Sequence, residues 1–364
     1  MPQRHLDELL RLFVAELVGG ARADPAALRR GLAALDTASL DRLRFCADAN
    51  RVLPALGFVI DQGPDPQLVP DRLRVPATNA WRANRLRNRA IVVLAGRVQG
   101  ALESAGERPI LFKGIHYLDW LWPDVGARRL QDLDLVMPGA DVDRCRAALR
   151  PLGFEPVDEP ASDAIHLRHP MGLEIDLHHR FRIFEHLDAE ADVVSHASRL
   201  APGSQWRVFE PTRELATLLH HHCSNHVEAE GARLCWIADL ALRLRHAADE
   251  DIATVSALVG DRRRLERAAW MLALIEDSLG VPMERWRRGL PPLRDRVDWA
   301  TAMASNRLLP FGLPSLRGWA RLVASASKRH RDRWGPRPSF EDLRRLPAVM
   351  RTLGSSKAHT SPSA

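Results

Sequence analysis

Apolar positions recur at helical spacing through the first hundred residues, which predicts a helical N-terminal region. Asp24 precedes Pro25 in the arrangement expected of a helix cap followed by proline in the first turn. The four prolines of residues 61–77 predict a loop. The segment TNAWRANRLRNRAIVVLAGRVQGALESAG then predicts one long helix, capped by Thr78 or Asn79.

The pattern changes near residue 107, where short apolar runs alternate with turns. RPILFKG predicts a strand that ends at a Lys-Gly turn, GIHYLDWLW follows at helical spacing, and RLQDLDLVM predicts a second strand. MPGADVDRCRAALRPLGFEPV predicts a turn, a helix and a short strand. AIHLRHPMGLEIDLHHRF predicts a β-hairpin, because HPMG suits a tight turn. Helical spacing returns from about residue 211, where we expect a helix to begin at Thr212.

These elements predict an α+β protein with a small mixed-sheet core flanked by helical regions. The expected division is an N-terminal helical region at 1–106, an α/β core at 107–210, a C-terminal helical domain at 211–353 and a disordered tail at 354–364. No apolar run reaches the roughly 18 residues that a membrane span needs. The N-terminus lacks a signal peptide's apolar region, so we expect a cytoplasmic protein whose four scattered cysteines are buried thiols.

Candidate chemistry lies in two acidic strands of the predicted core. Side chains alternate between the faces of a strand, so Asp132 and Asp134 share one face while the leucines between them face a core. In GLEIDLHH, Asp176 and His178 share a face in the same way. If the two strands are neighbours, the three carboxylates converge.

Converging carboxylates repel one another and raise one another's pKa. A divalent cation removes that cost, and oxygen ligands of this kind suit Mg²⁺ or Mn²⁺. The alternative is a solvated polar face, which antiparallel sheets often show. The turn at Lys113 and Gly114 lowers the weight of that alternative, since backbone N–H groups and a lysine at a strand-to-helix turn suit phosphate.

The ensemble of motifs resembles a largely uncharacterised bacterial nucleotidyltransferase family related to the nucleotidyltransferase fold of DNA polymerase beta. Its pattern comprises a Lys-Gly turn, an arginine before an Asp-x-Asp strand, a later strand reading Asp-Leu-His, and a helical His-x-x-x-His followed by Trp-x-x-Asp. The matching residues are Lys113-Gly114, Arg128, Asp132 with Asp134, Asp176-Leu177-His178, His222, His226, Trp236 and Asp239.

This resemblance implies transfer of a nucleoside monophosphate from ATP or another nucleoside triphosphate to an acceptor, with release of pyrophosphate. It implies that Asp132 and Asp134 bind two metal ions, and that Asp176 binds the catalytic metal and activates the acceptor. Lys113, Gly114 and Arg128 are expected to bind phosphates. Ile115 stands where the wider superfamily has a phosphate-binding serine, and Lys113 is expected to compensate.

Several alternatives stay open. The acceptor could be a small molecule, a peptide, a glycan or a protein, and the chain could bind a nucleotide without turnover. The net charge of +6 and pI of about 9.7 motivate a further alternative, an RNA-binding or RNA-modifying protein, but a nucleic-acid partner is less favoured because the arginines are dispersed. Zinc at HHHCSNH is disfavoured, since the metalloprotease HExxH pattern is absent. We expect His178, His222, His226 and Asp239 to contact substrate or to support the site.

Overall fold

The computed structural model describes nine segments, all within a unit that spans residues 1–310. They are residues 3–118, 120–137, 139–157, 164–180, 198–200, 206–222, 233–247, 252–260 and 262–292. The predicted tail at 354–364 lies outside them, as does the unit at 311–364. The predicted domain boundaries stay predictions.

Five helices precede the sheet: α1 (Gln3–Leu17), α2 (Pro25–Ala33), α3 (Thr37–Ala49), α4 (Leu53–Gln62) and α5 (Asp71–Ser104). The predicted cap of α2 is confirmed, since the Asp24 carboxylate accepts a hydrogen bond of 2.8 Å from the Ala27 backbone N–H. The helical N-terminal region follows from its apolar spacing, because the buried positions of these helices are those that the pattern places on one face.

The loop predicted over residues 61–77 is wrong in its second half, because α5 begins at Asp71 and contains Pro76. Proline removes one backbone hydrogen bond of the helix, a local cost that the sequence pattern weighs heavily. Packing on α4 outweighs it. A Cβ on Gly57 of α4 would lie 2.0 Å from the carbonyl oxygen of Ala77, so the two helices touch backbone to backbone.

A seven-stranded mixed sheet follows in the described residues, in the order β3-β4-β5-β2-β1-β7-β6. Strand β2 pairs with β5 and β1 with β7 in parallel, and the other neighbours are antiparallel. The β4–β5 hairpin is confirmed, with the Gly172 N–H donating to the His169 carbonyl across the turn. The strands are β1 (Ile110–Phe112), β2 (Asp132–Val136), β3 (Glu155–Pro156), β4 (Ala164–Arg168), β5 (Glu174–His178), β6 (Ser198–Leu200) and β7 (Arg207–Phe209).

The helix predicted over GIHYLDWLW is wrong for the described residues of this segment, where a 3₁₀ helix forms at Gly114–Tyr117. The N–H groups of Leu121 and Trp122 both donate to the Tyr117 carbonyl, which closes a turn instead of continuing a helix. Downstream, the Asp124 carboxylate accepts a 2.7 Å hydrogen bond from the indole of Trp81 on α5. Tertiary contacts of this segment therefore replace the helix that its spacing predicts.

The described helices after β2 are α6 (Val142–Leu149), α7 (Pro211–His221), α8 (Leu234–Arg245), α9 (Ile252–Val259), α10 (Arg262–Leu279) and α11 (Glu284–Arg287). Pro211, and not Thr212, opens α7, in the first-turn position that proline favours. None of the helices that the structure describes is both long and apolar enough to cross a membrane.

One face of the sheet packs on α5 and α6. The core there combines Leu133, Leu135, Ile175 and Leu177 of the central strands with apolar residues of both helices. The mixed sheet with flanking helices confirms the predicted α+β class. Cys46, Cys145 and Cys235 are buried and free, as expected of structural thiols, whereas Cys223 lies outside the described residues.

Candidate active site

The turn after β1 contains two residues with positive φ. Lys113 has φ 45° and ψ −147°, and Gly114 has φ 49°. Regular alternation would place the Lys113 side chain on the face opposite to Phe112. The unusual backbone breaks that alternation and brings the ammonium group to Asp134, the cross-strand partner of Phe112. Such a conformation costs a lysine about 1–3 kcal/mol, and strain of this kind concentrates at functional sites.

Asp134 is the most deeply buried of the three candidate aspartates, with 2 % of its surface exposed. Its Oδ1 lies 3.0 Å from Lys113 Nζ and 3.7 Å from His178 Nε2. Its Oδ2 is buried and has no hydrogen-bond partner among the residues that the structure describes. Burial raises the pKa of Asp134, but the charge of Lys113 and the nearby His178 ring outweigh it, so the net pKa is lowered. The group is therefore a carboxylate at neutral pH, and its burial excludes a merely solvated polar face.

The pKa of Asp132, unlike that of Asp134, is raised in the folded protein. Burial raises its pKa first, the charges of Asp134 and Asp176 raise it further, and Lys113 and Arg128 only partly oppose them. The repulsion that the sequence predicts between these carboxylates is therefore present. A cation bound beside Asp132 would relieve it.

Asp176 lies on β5 directly opposite Asp134 in the parallel pairing of β2 with β5. The two strands are neighbours, which is the condition under which the acidic side chains were expected to converge. The Oδ1 of Asp176 lies 2.7 Å from Nδ1 of His166, its cross-strand partner on β4. Asp176 therefore has a histidine as its neighbour on one side and Asp134 on the other.

The donor chemistry of the three aspartates fits a hard divalent cation. Asp132, Asp134 and Asp176 share one face of adjacent strands, and the described part of the chain offers the buried Oδ2 of Asp134 no hydrogen-bond partner. Within the described segments, no three His, Cys, Asp or Glu side chains are already arranged as a metal-binding group. Instead, Lys113 supplies the positive charge beside Asp134. The metal-binding roles stay predictions.

A sequence profile of a family described as uncharacterised nucleotidyltransferase matches residues 36–279, about two thirds of the chain. The chain belongs to this family. The match spans α3 to α10 and includes all the candidate residues discussed above. The place of this nucleotidyltransferase family in the wider superfamily of DNA polymerase beta stays a prediction.

One solved structure is similar to part of the chain. It is an antigenic nucleotidyltransferase-like protein from Paracoccidioides brasiliensis, 19% identical, with 49% of this chain and 90% of that chain covered. The TM-score is 0.31, a level of similarity that supports no conclusion about this chain. No curated protein matches the sequence significantly.

Arg128, which the sequence predicts to bind phosphate, forms an ion pair with Asp239, another residue that the sequence predicts for the site. Its Nε and Nη2 donate to the two oxygens of Asp239 at 2.9 and 2.8 Å, and Trp122 donates to the same carboxylate at 2.7 Å. Burial lowers the pKa of Arg128, but Asp239 raises it by more. The pair ties the segment before β2 to α8. In the described structure Arg128 thus contacts protein, and its phosphate-binding role stays a prediction.

The predicted histidines fall in different places. His178 lies beside Asp134, as described above. His222 is buried and stacks on Trp236, with ring centroids 5.7 Å apart. His226 lies outside the described residues. The zinc alternative stays untested for that reason.

Sequence reasoning missed three contacts of the site. The position of Lys113 depends on a backbone torsion that spacing does not encode. His221 of α7, whose Nε2 lies 3.1 Å from Lys113 Nζ, comes from a distant element. His166 could have been found, because the turn at residues 169–172 fixes the hairpin register, and counting back from it places His166 opposite Asp176.

Proposed function

We propose that the protein is a metal-dependent nucleotidyltransferase that moves a nucleoside monophosphate from a nucleoside triphosphate to an acceptor. The observation that carries this proposal is the placement of Asp132, Asp134 and Asp176 on one face of two paired strands, with the Lys113 ammonium 3.0 Å from Asp134. Membership of a nucleotidyltransferase family supports it. Mg²⁺ or Mn²⁺ held by the three aspartates would supply charge neutralisation to the triphosphate.

The residues of the chain have separate tasks in this reaction. An acceptor oxygen forms a bond to the α-phosphorus, the bond from that phosphorus to the bridging oxygen breaks, and pyrophosphate leaves. Asp176 takes the proton of the acceptor. Lys113 contacts phosphate oxygens, and the positive φ of the Lys113-Gly114 turn keeps its ammonium on the acidic face. Catalysis of this kind depends on positioning and on electrostatic stabilisation.

The test is pyrophosphate release, measured with each of the four nucleoside triphosphates in the presence of a cell extract as acceptor source. We expect release with Mg²⁺ and none with a chelator. Asp134→Asn should lower the rate at least about a hundredfold, because it removes a carboxylate that would hold the metal ion and so weakens the charge neutralisation that the ion supplies. Asp143→Asn is the matched control, since Asp143 lies on α6 with its side chain exposed.

Release that is unchanged in Asp132→Asn, Asp134→Asn and Asp176→Asn would contradict the proposal. Mass analysis of cells that express the protein would identify the acceptor by a nucleotidylated product. The same product should be missing from cells that express Asp134→Asn and present in cells that express Asp143→Asn.

A second candidate is a nucleotide-binding protein without turnover. The ion pair of Lys113 with Asp134 favours it, because the lysine already neutralises one proposed metal ligand. Ile115 in place of a serine after Gly114 favours it too. Under this alternative, calorimetry would show nucleoside triphosphate binding that is independent of Mg²⁺ and weakened by Lys113→Met, while no pyrophosphate is released.

A further inference from the structure

A cavity of about 590 Å³ has Asp132 in its wall. Its walls come from α5, from the connection between α3 and α4, from the segment that leads into β2, and from the β4–β5 turn. Neither Lys113 nor Gly114 lines it. Asp132 is therefore shared by the proposed metal site and the cavity, whereas the proposed phosphate-binding turn is no part of the cavity wall.

Three arginines line this cavity: Arg51, Arg87 and Arg129. Besides Asp132, two acidic residues line it, and both are engaged. Asp48 pairs with Arg129 at 3.0 Å, and Glu174 accepts a 2.8 Å hydrogen bond from Arg168, which lies outside the cavity. Neither of these two carboxylates therefore forms an ion pair with Arg87.

Arg87 is the decisive side chain. Its two hydrogen bonds go to backbone carbonyls, those of Leu130 and Gly172, the second at 3.2 Å. Across the segments that the structure describes, Arg87 contacts no carboxylate. Burial lowers the pKa of Arg87, and the nearby charge of Arg129 lowers it further. Arg87 and Arg129 thus repel each other beside the cavity, and an anion bound between them would relieve that repulsion.

We propose that this cavity binds the acceptor, and that the acceptor is a small anionic molecule which carries a phosphate or carboxylate group. The anionic group would bind Arg87 and Arg129, and the rest of the molecule would extend towards Asp132. This proposal rests on the proposed nucleotidyl transfer. The family match at residues 36–279 includes every wall of the cavity, so the cavity belongs to the part of the chain that the family shares.

The size of the cavity fits this assignment, since pockets of about 300–1,000 Å³ accommodate small molecules. Guanidinium groups bind phosphate and carboxylate in the same bidentate geometry, so both head groups remain within the proposal. A nucleoside triphosphate in the cavity is the competing assignment. It would place the phosphates away from Lys113.

The experiment is calorimetric titration of the full-length protein with inorganic phosphate and with citrate, at constant ionic strength, without nucleotide or divalent cation. Because charge-assisted hydrogen bonds are stronger than neutral ones, Arg129→Gln and Arg87→Gln should each weaken binding about tenfold or more. Arg87→Lys should retain more affinity than Arg87→Gln. The matched control is Arg82→Gln, an exposed arginine of α5 that pairs with Asp61 and lies outside the cavity.

Arg87 also holds backbone carbonyls, so each variant is first checked for the wild-type melting temperature. Arg129, which is more exposed, keeps the test valid if Arg87→Gln fails to fold. Preference for phosphate or for citrate identifies the head group. Equal affinity in wild type and Arg129→Gln would overturn the proposal, as would an equal loss in Arg82→Gln.

A competition arm separates acceptor from nucleotide. We expect ATP to bind without displacing the probe anion, whereas competitive displacement would assign the cavity to the nucleotide and overturn the acceptor proposal. The calorimetric binding measurements do not depend on catalytic turnover. Arginine-dependent anion binding with no pyrophosphate release would therefore count against the proposed function alone, and release with no arginine-dependent binding against the cavity alone.

Discussion

The two faces of the sheet are formed by the same strands, and each buries side chains of β2, but by different means. On one face, Leu133, Leu135, Ile175 and Leu177 pack on α5 and α6. On the other, Asp134 is equally buried, and a lysine and a histidine lie beside it in place of apolar groups. Burial of apolar area stabilises the fold, whereas burial of a carboxylate costs free energy unless it is paired. The apolar face therefore holds the strands in the register that the acidic face requires.

The largest effect on stability is expected from a substitution on the apolar face of the sheet. Leu135→Ala removes a fully buried side chain between Asp134 and Val136, and should lower the free energy of unfolding by about 2–5 kcal/mol. Urea denaturation measures it. Leu86→Ala, at an exposed position of α5, is the control and should change stability by less than about 0.5 kcal/mol. A comparable loss in the two variants would mean that the α5 side of the sheet is not the core.

The second test concerns the charge pair on the acidic face. Lys113→Met leaves the Asp134 carboxylate buried without its nearest cation, and should lower the free energy of unfolding by about 3 kcal/mol. Combining it with Asp134→Asn removes both charges. The double variant should therefore be more stable than Lys113→Met alone, as a double-mutant cycle by urea denaturation would show. Additive losses would mean that the two groups do not interact.

A smaller change, of opposite sign, is expected at Asp132. Its pKa is raised in the folded protein, so the unfolded chain holds this proton less tightly, and ionisation opposes folding above the unfolded pKa. Metal-free Asp132→Asn should thus be more stable than wild type at neutral pH. The gain should disappear as the pH falls below the unfolded pKa, where the aspartic acid is protonated in both states. Thermal melts between pH 3 and pH 7, about the range of an aspartate titration, measure this difference.

The smallest expected effect on stability is at His166. Its ring is 40% exposed beside Asp176, so His166→Gln should change the free energy of unfolding by less than about 1 kcal/mol. Under the proposed function it should nevertheless lower pyrophosphate release, because the ring orients the carboxylate that takes the acceptor's proton. His246→Gln, at an exposed position that follows α8 and lies outside the cavity, is the control. Unchanged release in His166→Gln would show that Asp176 needs no such support.

Alternation along the strands was sufficient to predict which face each side chain of β2 and β5 occupies. It could not show that β2 and β5 are parallel neighbours, because that pairing joins residues that are distant in the sequence. The Lys113 contact depends on a single backbone torsion, and a periodicity argument assumes regular torsions. The start of α5 was mispredicted because a local rule about Pro76 competes with packing on Gly57. The arginine cavity combines four separate segments, none of which has a motif of its own.

The hairpin turn at residues 169–172 has a consequence for how the protein could diversify. Gly172 lines the arginine cavity, and Met171 beside it is exposed, while five paired positions hold β5 against β2. Surface turns accept insertions far more readily than paired strands do. Changes of length or sequence in this turn would therefore reshape one wall of the cavity and leave Asp176 opposite Asp134. Preference for one acceptor over another could drift in such a lineage while its reaction chemistry stayed constant.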